Sequence, residues 1–498
     1  MKKIIYALAV LVTTSIYGQS EFQITTGPAI EENKKRIYAY FGENDGNYYF
    51  GGNRNNKRDY TLFKLNNQFE LVKAVELDLD SKLKTYFSDN PSYGFNLVST
   101  DNENLYFMRA EGGKLSEMNV TYFMDGYSLD DLSSVGNPKP VTEESNIPKS
   151  GVRGLSAYKG FINTASSKDE KRHALSLGKA EFSYNNSSYQ LVALKDGANI
   201  AFQTEFPTED YSGRILRENM AVSNNGEVYV LAADILEGKK LEKYVLFQYS
   251  ESGELKNQIE FVPSGFIFTQ PFLEIHPDGS VILAGFTSTK SSKTIDGLAF
   301  FRFSSEELEL IAQNQHKLPE EFEELSKGIK KGVIKHYGRI HSAVTTNGDF
   351  AIATDYIDYS GNQTGTVFSD LFAWRLNGSG EVVAKGLIKK EQAGSGASYP
   401  MLSYRMFAVG NSVMVFYNGN EKNLERTIDK SAKRTSMGKV NPVFVAELEA
   451  TGFNRQILFD SSKDRFVLPV YGMYQISENS ILFTEYSSSE FRIRRVDF

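Results

Sequence analysis

The chain has 498 residues, of which 41% are hydrophobic, 13% aromatic and 23% charged, a balance that indicates a globular protein and excludes a disordered one. Its net charge of −7 argues against nucleic acid as the main partner, because phosphate binding requires a basic field. The sequence contains no cysteine, which excludes disulfides, cysteine-ligated zinc and cysteine nucleophiles.

The first 18 residues are typical of a signal peptide. Lys2 and Lys3 precede an apolar run from Ile4 to Val12, and Thr13 to Gly18 offer a cleavage zone before Gln19. The apolar run has only about half of the roughly 20 residues that a membrane span requires. We therefore expect no transmembrane span and export to the periplasm, the cell surface or the medium.

Two short patterns recur along the rest of the chain. The first is two apolar residues, a polar one, an apolar one and a polar residue that opens a turn, as in 62–66, 246–250, 300–304 and 373–377. The second is a tight turn followed by an apolar strand, as in 44–52, 224–233, 277–285 and 347–354. Asn-Gly and Asp-Gly between apolar runs indicate hairpins, because these residues tolerate the positive φ of primed turns.

The repeats predict four-stranded antiparallel units, which resemble the blades of a β-propeller, in the general form of secreted bacterial repeat proteins and without the motifs of a characterised family. Eight units span about 36–80, 93–140, 150–206, 217–262, 270–316, 339–390, 402–460 and 470–498. The second and third fit worst, so seven or eight blades are open. Tandem β-sandwich domains are the alternative.

The last unit has only three candidate strands. A fourth from Phe22 to Thr26 would close the ring by pairing the two ends of the chain, which removes exposed sheet edges. We thus predict one propeller domain over 19–498. It carries a surface helix near 319–331, where Phe322, Leu325 and Ile329 follow helical spacing.

Long loops over a rigid scaffold tend to carry binding sites, so we expect function on the face that holds the loops between second and third strands. These loops are predicted at 53–59, 167–184, 287–297, 355–370 and 418–441. Basic and aromatic residues in them are the candidate ligand-binding side chains: Arg54, Lys57, Arg58, Tyr356, Tyr359, Arg426, Lys433 and Arg434. Basic loops on an acidic protein would attract a carboxylate- or sulfate-bearing glycan, or an acidic patch of an envelope protein.

No residue set predicts catalysis, a metal site or a cofactor. His336 and His341 are the only closely spaced histidines, and five residues apart on a strand they point to opposite sides. The sequence predicts a binding or scaffold protein. The alternatives are a polysaccharide hydrolase or lyase on the same scaffold, which would need converging titratable groups, and a structural subunit, which would need an exposed apolar patch.

Overall fold

The successive strands of the chain form eight four-stranded antiparallel sheets. The sheets are arranged in a ring, and this fold is a β-propeller. The computed structural model describes residues 22–31, 35–54, 60–77, 95–112, 119–141, 145–146, 162–179, 188–205, 214–235, 242–291, 293–358, 366–394, 402–436, 441–459, 466–469, 472–487 and 490–498. The proposed signal peptide lies outside these residues.

The chain begins with β1 (Gln23–Thr26) and β2 (Ile30–Glu31). Blade 1 contains β3 (Lys35–Asn44), β4 (Asn47–Arg54), β5 (Tyr60–Leu65) and β6 (Leu71–Leu77). Blade 2 contains β7 (Phe95–Thr100), β8 (Asn104–Gly112), β9 (Asn119–Ser128) and β10 (Ser134–Pro140), and β11 (Ser145–Asn146) pairs with β9. Blade 3 contains β12 (Ile162–Ser166), β13 (Arg172–Lys179), β14 (Ser188–Lys195) and β15 (Asn199–Glu205). Blade 4 contains β16 (Arg214–Val222), β17 (Val228–Ile235), β18 (Glu242–Tyr249) and β19 (Leu255–Phe261).

Blade 5 contains β20 (Ile267–Ile275), β21 (Val281–Ser288), β22 (Gly297–Phe303) and β23 (Leu310–Lys317). The helix α1 (Glu320–Leu325) and the hairpin of β24 (Ile329–Lys330) and β25 (Val333–Ile334) follow. Blade 6 contains β26 (Tyr337–Val344), β27 (Phe350–Asp358), β28 (Thr366–Leu376) and β29 (Val382–Ile388), extended by β30 (Gln392–Gly394). Blade 7 contains β31 (Arg405–Val409), β32 (Ser412–Asn418), β34 (Val443–Glu449) and β35 (Gly452–Phe459), and β33 (Thr435–Ser436) lies between β32 and β34 in the chain. Blade 8 contains β36 (Met473–Ser477), β37 (Ser480–Tyr486) and β38 (Glu490–Asp497).

The middle strands of the blades are buried on both faces, which is why the repeat is so apolar. Every residue of β5 and β21 is buried. Side chains from neighbouring blades meet in clusters such as that of Phe286, Phe300 and Trp374 between blades 5 and 6. Such a blade is stable only with a neighbour on each side.

The ring is closed by the two ends of the chain, as the sequence predicts. β1 pairs antiparallel with β38, from Gln23 opposite Asp497 to Thr26 opposite Arg494, and β2 pairs with the other end of β38. β1 is thus the outer strand of blade 8, and Ile30 enters the cluster between blades 8 and 1. Seven blades and tandem sandwiches are excluded.

The hairpin turns differ in detail from the prediction. In blade 1, Asp45 and Gly46 both have positive φ (50° and 72°), as a primed two-residue turn requires. In blades 4, 5 and 6 only the glycine does, as at Gly279 (φ 89°). There the Gly279 N–H donates to the carbonyl of His276, which closes a four-residue turn over His276–Gly279. The glycine with positive φ is thus the last residue of the turn and is followed by the next strand.

The helix is shorter than the predicted range of 319–331. α1 ends at Leu325, and Ile329 is extended and paired in β24–β25. Lys331 and Gly332, with φ of 54° and 68°, form the turn of that hairpin, so the helical spacing of Ile329 reflects burial in a strand.

Ile30 provides a test of closure. It is 7% exposed, whereas Ile24 on β1 is 38% exposed. We expect Ile30→Ala to lower the free energy of unfolding by about 2–4 kcal/mol, since it leaves a cavity between the first and last blades. Ile24→Ala is the matched control and should change it by less than about 0.5 kcal/mol. Urea unfolding measures both, and equal effects would contradict the role of β2 in closure.

Candidate functional site

A pocket of about 370 Å³ lies where α1, the outer strands of blades 6 and 7, and the loop after β32 meet. We call it the rim pocket. Its polar wall carries four basic side chains and one acid, and its apolar lining carries an aliphatic and aromatic set: Lys385, Lys389, Arg426, Arg455 and Glu321, with Phe322, Leu387, Ile428 and Phe453.

The outer strand of blade 6 positions two of these cations. In β29, Lys385 is exposed between buried Ala384 and Gly386, as strand alternation requires. A Cβ on Gly386 would lie 2.6 Å from the Phe453 ring, so a glycine is needed for blade 7 to approach this closely. Lys385 pairs with Glu321 of α1, and Lys389 lies 3.8 Å from Asp370.

Arg426 and Arg455 have no acidic partner among the described residues. The Arg455 guanidinium donates to the carbonyls of Leu424 and Arg426 at 3.4 and 3.5 Å, which holds the loop against β35. It also hydrogen-bonds with Tyr417, whose pKa burial raises to about 12. The Arg426 Nε is buried and lacks a hydrogen-bond acceptor within the described part of the chain. The pocket therefore contains two guanidinium groups whose charge no carboxylate of the described residues neutralises.

The loop that carries Arg426 is fixed at several points. Asn420 caps a 3-10 turn at Glu421–Asn423 by accepting from the Lys422 N–H. Asn423 accepts from the Lys433 N–H at 2.6 Å and donates to its carbonyl at 2.9 Å. Beyond it, β33 pairs in parallel with β30 of blade 6. Contacts within the protein therefore hold this wall of the pocket in place without a ligand.

Lys433, Arg434 and Tyr356 do not line the rim pocket with Arg426. Arg434 is exposed and its Nε lies 2.6 Å from Glu391 Oε1, and the Lys433 side chain is exposed. Arg54 ends β4, and Lys57, Arg58 and Tyr359 lie outside the described residues. The structure therefore keeps one predicted cation in a pocket and adds Lys385, Lys389 and Arg455, which sequence spacing alone did not reveal.

Tyr356 is not the free loop aromatic that we expected. β27 continues to Asp358, so the first four residues of the predicted loop belong to a strand. The ring is partly buried and lies against Gly328, where a Cβ would come within 2.5 Å of Tyr356 Cγ. Burial raises its pKa, and Asp358 and Asp370 add to the shift.

The prediction of a loop at 167–184 is also wrong. Ser167–Lys171 is the short turn from β12, and Arg172–Lys179 is the strand β13. The residues from His173 to Leu177 pair with β14 and are all buried, which explains why they do not form a loop. Lys168, Asp169 and Glu170 consequently lie at the face opposite the long loops.

At that opposite face a second cavity, of about 1050 Å³, occupies the centre of the ring. It is lined by the last residues of the inner strands of blades 3 to 8 and by the turns that follow them. Glu274 of β20 lies in its wall and accepts a hydrogen bond from Ser342 Oγ at 2.9 Å. We call this space the central cavity.

Asp355 belongs to a buried polar network beside the rim pocket. Its Oδ2 lies 2.9 Å from Lys390 Nζ and accepts from Ser403 Oγ at 2.8 Å. Lys390 also donates to Gln392 Oε1, and Gln392 donates to the Asn418 carbonyl. Burial raises the pKa of Asp355 and lowers the pKa of Lys390, and their attraction opposes both shifts.

Within the described residues no group of three or more histidines or acids is placed to hold a metal ion. No helix there is long and apolar enough to cross a membrane.

No protein-family profile matches the chain, and no curated protein matches it. Among solved structures, a prolyl endopeptidase is 9% identical with a TM-score of 0.40, and the match covers 91% of this chain but 55% of that one. The acylaminoacyl peptidase of Pyrococcus horikoshii is 10% identical with a TM-score of 0.37, over 92% and 59%. A Dyadobacter fermentans protein of unknown function is 9% identical with a TM-score of 0.34, over 96% and 99%. The chain thus spans little more than half of each peptidase, and identities this low carry no inference about function.

The Asp355–Lys390 pair generates one stability prediction. The two side chains are 0% and 1% exposed. Lys390→Met should lower the free energy of unfolding by about 3–5 kcal/mol, because it leaves a buried carboxylate without its cation. The double variant Lys390→Met with Asp355→Leu should regain much of that loss in urea unfolding. A double variant as unstable as the single one would show that the charge pair is not the cause.

His341 generates a second prediction, with its sign fixed by its pKa. Its ring packs edge-on against Tyr404, with centroids 5.0 Å apart, and burial together with Arg405 and Arg339 lowers its pKa from 6.5 to about 3. The folded state resists protonation, so this contribution to stability is full above the unfolded pKa and falls as the pH drops from 6.5 toward 3.

Between about pH 7.5 and about pH 4.5, the wild type should lose about 2–3 kcal/mol more unfolding free energy than His341→Phe. Denaturant unfolding at the two pH values measures the difference. Parallel losses in both proteins would mean that His341 takes up a proton equally well in the folded state.

Proposed function

We propose that this protein is an exported binding protein that takes an anionic glycan, one bearing carboxylate or sulfate groups, in the rim pocket. The observation that carries this proposal is the pair Arg426 and Arg455, which share a pocket without an acidic partner in the described residues. Export rests on the N-terminal Lys2, Lys3 and the apolar run that follows.

The chemistry of the lining supports an anionic ligand. A guanidinium presents a planar set of donors that matches a carboxylate or sulfate, and the guanidinium-bearing Arg426 and Arg455 both line the pocket. A hydrogen bond from a charged donor to an anionic group contributes more binding free energy than a neutral one.

The size and the apolar floor support a sugar ring. A volume of about 370 Å³ falls at the small end of ligand pockets, which run from about 300 to 1,000 Å³. Phe453 and Ile428 offer apolar surface beside the cations, and the apolar face of a sugar can lie against such a surface. The exposed Lys422, Lys430 and Lys433 of the same loop would attract further anionic groups of a longer chain.

The test is calorimetric titration of the mature protein with an oligogalacturonate, a sulfated oligosaccharide and uncharged maltohexaose. One anionic sugar should bind and maltohexaose should not. Arg426→Gln should weaken binding about tenfold or more, the equivalent of one charge-assisted hydrogen bond. Binding should also weaken as salt is raised.

Arg434→Gln is the matched control, since it removes an equal charge from the same loop outside the pocket. Equal weakening by both variants would indicate a diffuse charge effect and contradict the pocket. No binding of either anionic sugar would also overturn the proposal and favour an acidic protein partner. Size analysis of the titrated sugar distinguishes simple binding from cleavage.

A further inference from the structure

The wall of the central cavity is formed by the edges of β-strands. The inner strands β12, β16, β20, β26, β31 and β36 each pair with a strand on one side only, and each is the end strand of its sheet in the described part of the chain. Their second edges face the middle of the ring. The wall therefore presents backbone N–H and C=O groups that no strand pairs, and an extended peptide is the ligand that matches such edges.

The charge of the cavity selects the sign of that peptide. Among the residues that the structure describes, five charged side chains lie in its lining, of which four are acidic: Asp169, Glu170, Glu274 and Glu478, with Lys168 as the cation. Lys168 Nζ pairs with Glu478 Oε1 at 3.4 Å, so this cation already has an acidic partner. This pair joins blade 3 to blade 8 across the mouth of the cavity.

Glu274 is the acid placed deepest in the wall. It lies on the strand β20 rather than on a turn, and its hydrogen-bond partner is the neutral hydroxyl of Ser342. No cation of the described residues pairs with it. Burial raises the pKa of Glu274, and the hydrogen bond from Ser342 opposes that shift. A cationic group that enters the cavity would supply the missing counter-charge.

The remaining lining is neutral, with apolar side chains such as Met220, Phe272 and Phe407 beside smaller residues. Thr164, Ser166 and Gln475 have exposed side chains toward this space, next to Ala343 and Ala408. A volume of about 1050 Å³ lies at the upper end of ligand pockets and suits a short peptide better than a single ion.

We propose that the central cavity binds a short, extended, basic peptide segment, with a lysine or arginine side chain of the peptide paired to Glu274. This site is separate from the rim pocket and takes ligands of the opposite charge. The two proposals therefore stand or fall independently.

The test uses fluorescence anisotropy with the mature protein and a labelled eight-residue peptide of alternating lysine and serine. A second labelled peptide has glutamate in place of lysine. Free spermidine is added as a competitor. We expect the lysine peptide to bind and the glutamate peptide not to bind. Spermidine should compete only weakly, because it has no backbone groups for the strand edges.

Glu274→Gln should weaken the lysine peptide about tenfold, since it keeps the shape and the contact with Ser342 but removes the charge. Glu307→Gln is the matched control, because Glu307 is an exposed acid of the same blade that does not line the cavity. Thr164→Trp fills the cavity from an exposed position and should abolish binding while the unfolding transition is preserved.

Three outcomes would overturn the proposal: no binding of the lysine peptide to the wild type, equal affinity of the wild type and Glu274→Gln, or unchanged binding by Thr164→Trp. Competition by spermidine as strong as by the unlabelled peptide would also overturn it, since the cavity would then bind the ammonium group and not a peptide. None of these results bears on the binding of anionic sugars to Arg426.

Discussion

The pairing of β1 and β2 with β38 is the constraint on which the rest of the structure depends. Each blade buries apolar side chains on both faces, so a blade at an open end would expose one face to water. The eight-blade ring avoids this only if its ends meet. The contacts of Gln23–Thr26 and Ile30 with the last strand therefore protect every other blade, although they involve only a few residues.

The ring also determines where ligands have access. Because the middle strands are covered on both sides, the open positions are the inner strand edges, the connections and the outer rim. At the rim, the network of Asp355, Lys390 and Gln392 ties blade 6 to the Asn418 carbonyl at the start of the Arg426 loop. Burying a charged pair is costly, and here the pair holds Gln392, which donates to the first residue of the loop. A fixed loop presents its guanidinium groups with less loss of entropy on binding.

Much of the fold follows from local sequence. The period-two apolar strands and the glycine turns predict the blades, and the three-stranded last unit predicts the closure by residues near the N-terminus. Errors arose where one pattern fits two structures. Ile329 has the spacing of a helix but is buried in a short strand, and His173 to Leu177 follow polar residues but pair as a strand.

The candidate site was less predictable than the fold, for a physical reason. Arg426 stands in a visibly basic loop, but Lys385, Lys389 and Arg455 come from outer strands where an exposed cation has no special meaning. What makes them a pocket is contact between segments far apart in the chain. Glu274 was equally hard to predict. An acid on a strand normally faces water, and only the closure of the blades into a ring places this one in the wall of an enclosed cavity.

Net charge is a poor guide to the ligands of such a molecule. The chain carries −7 overall, yet the rim pocket is basic and the central cavity acidic. At physiological ionic strength exposed charges are screened beyond about 8 Å, so a ligand responds to the few side chains around it and not to the total. A propeller that separates its inner edges from its outer rim can therefore hold sites of both signs. Ligands of opposite charge need not compete for them, and each site can be altered by one side chain without changing the other.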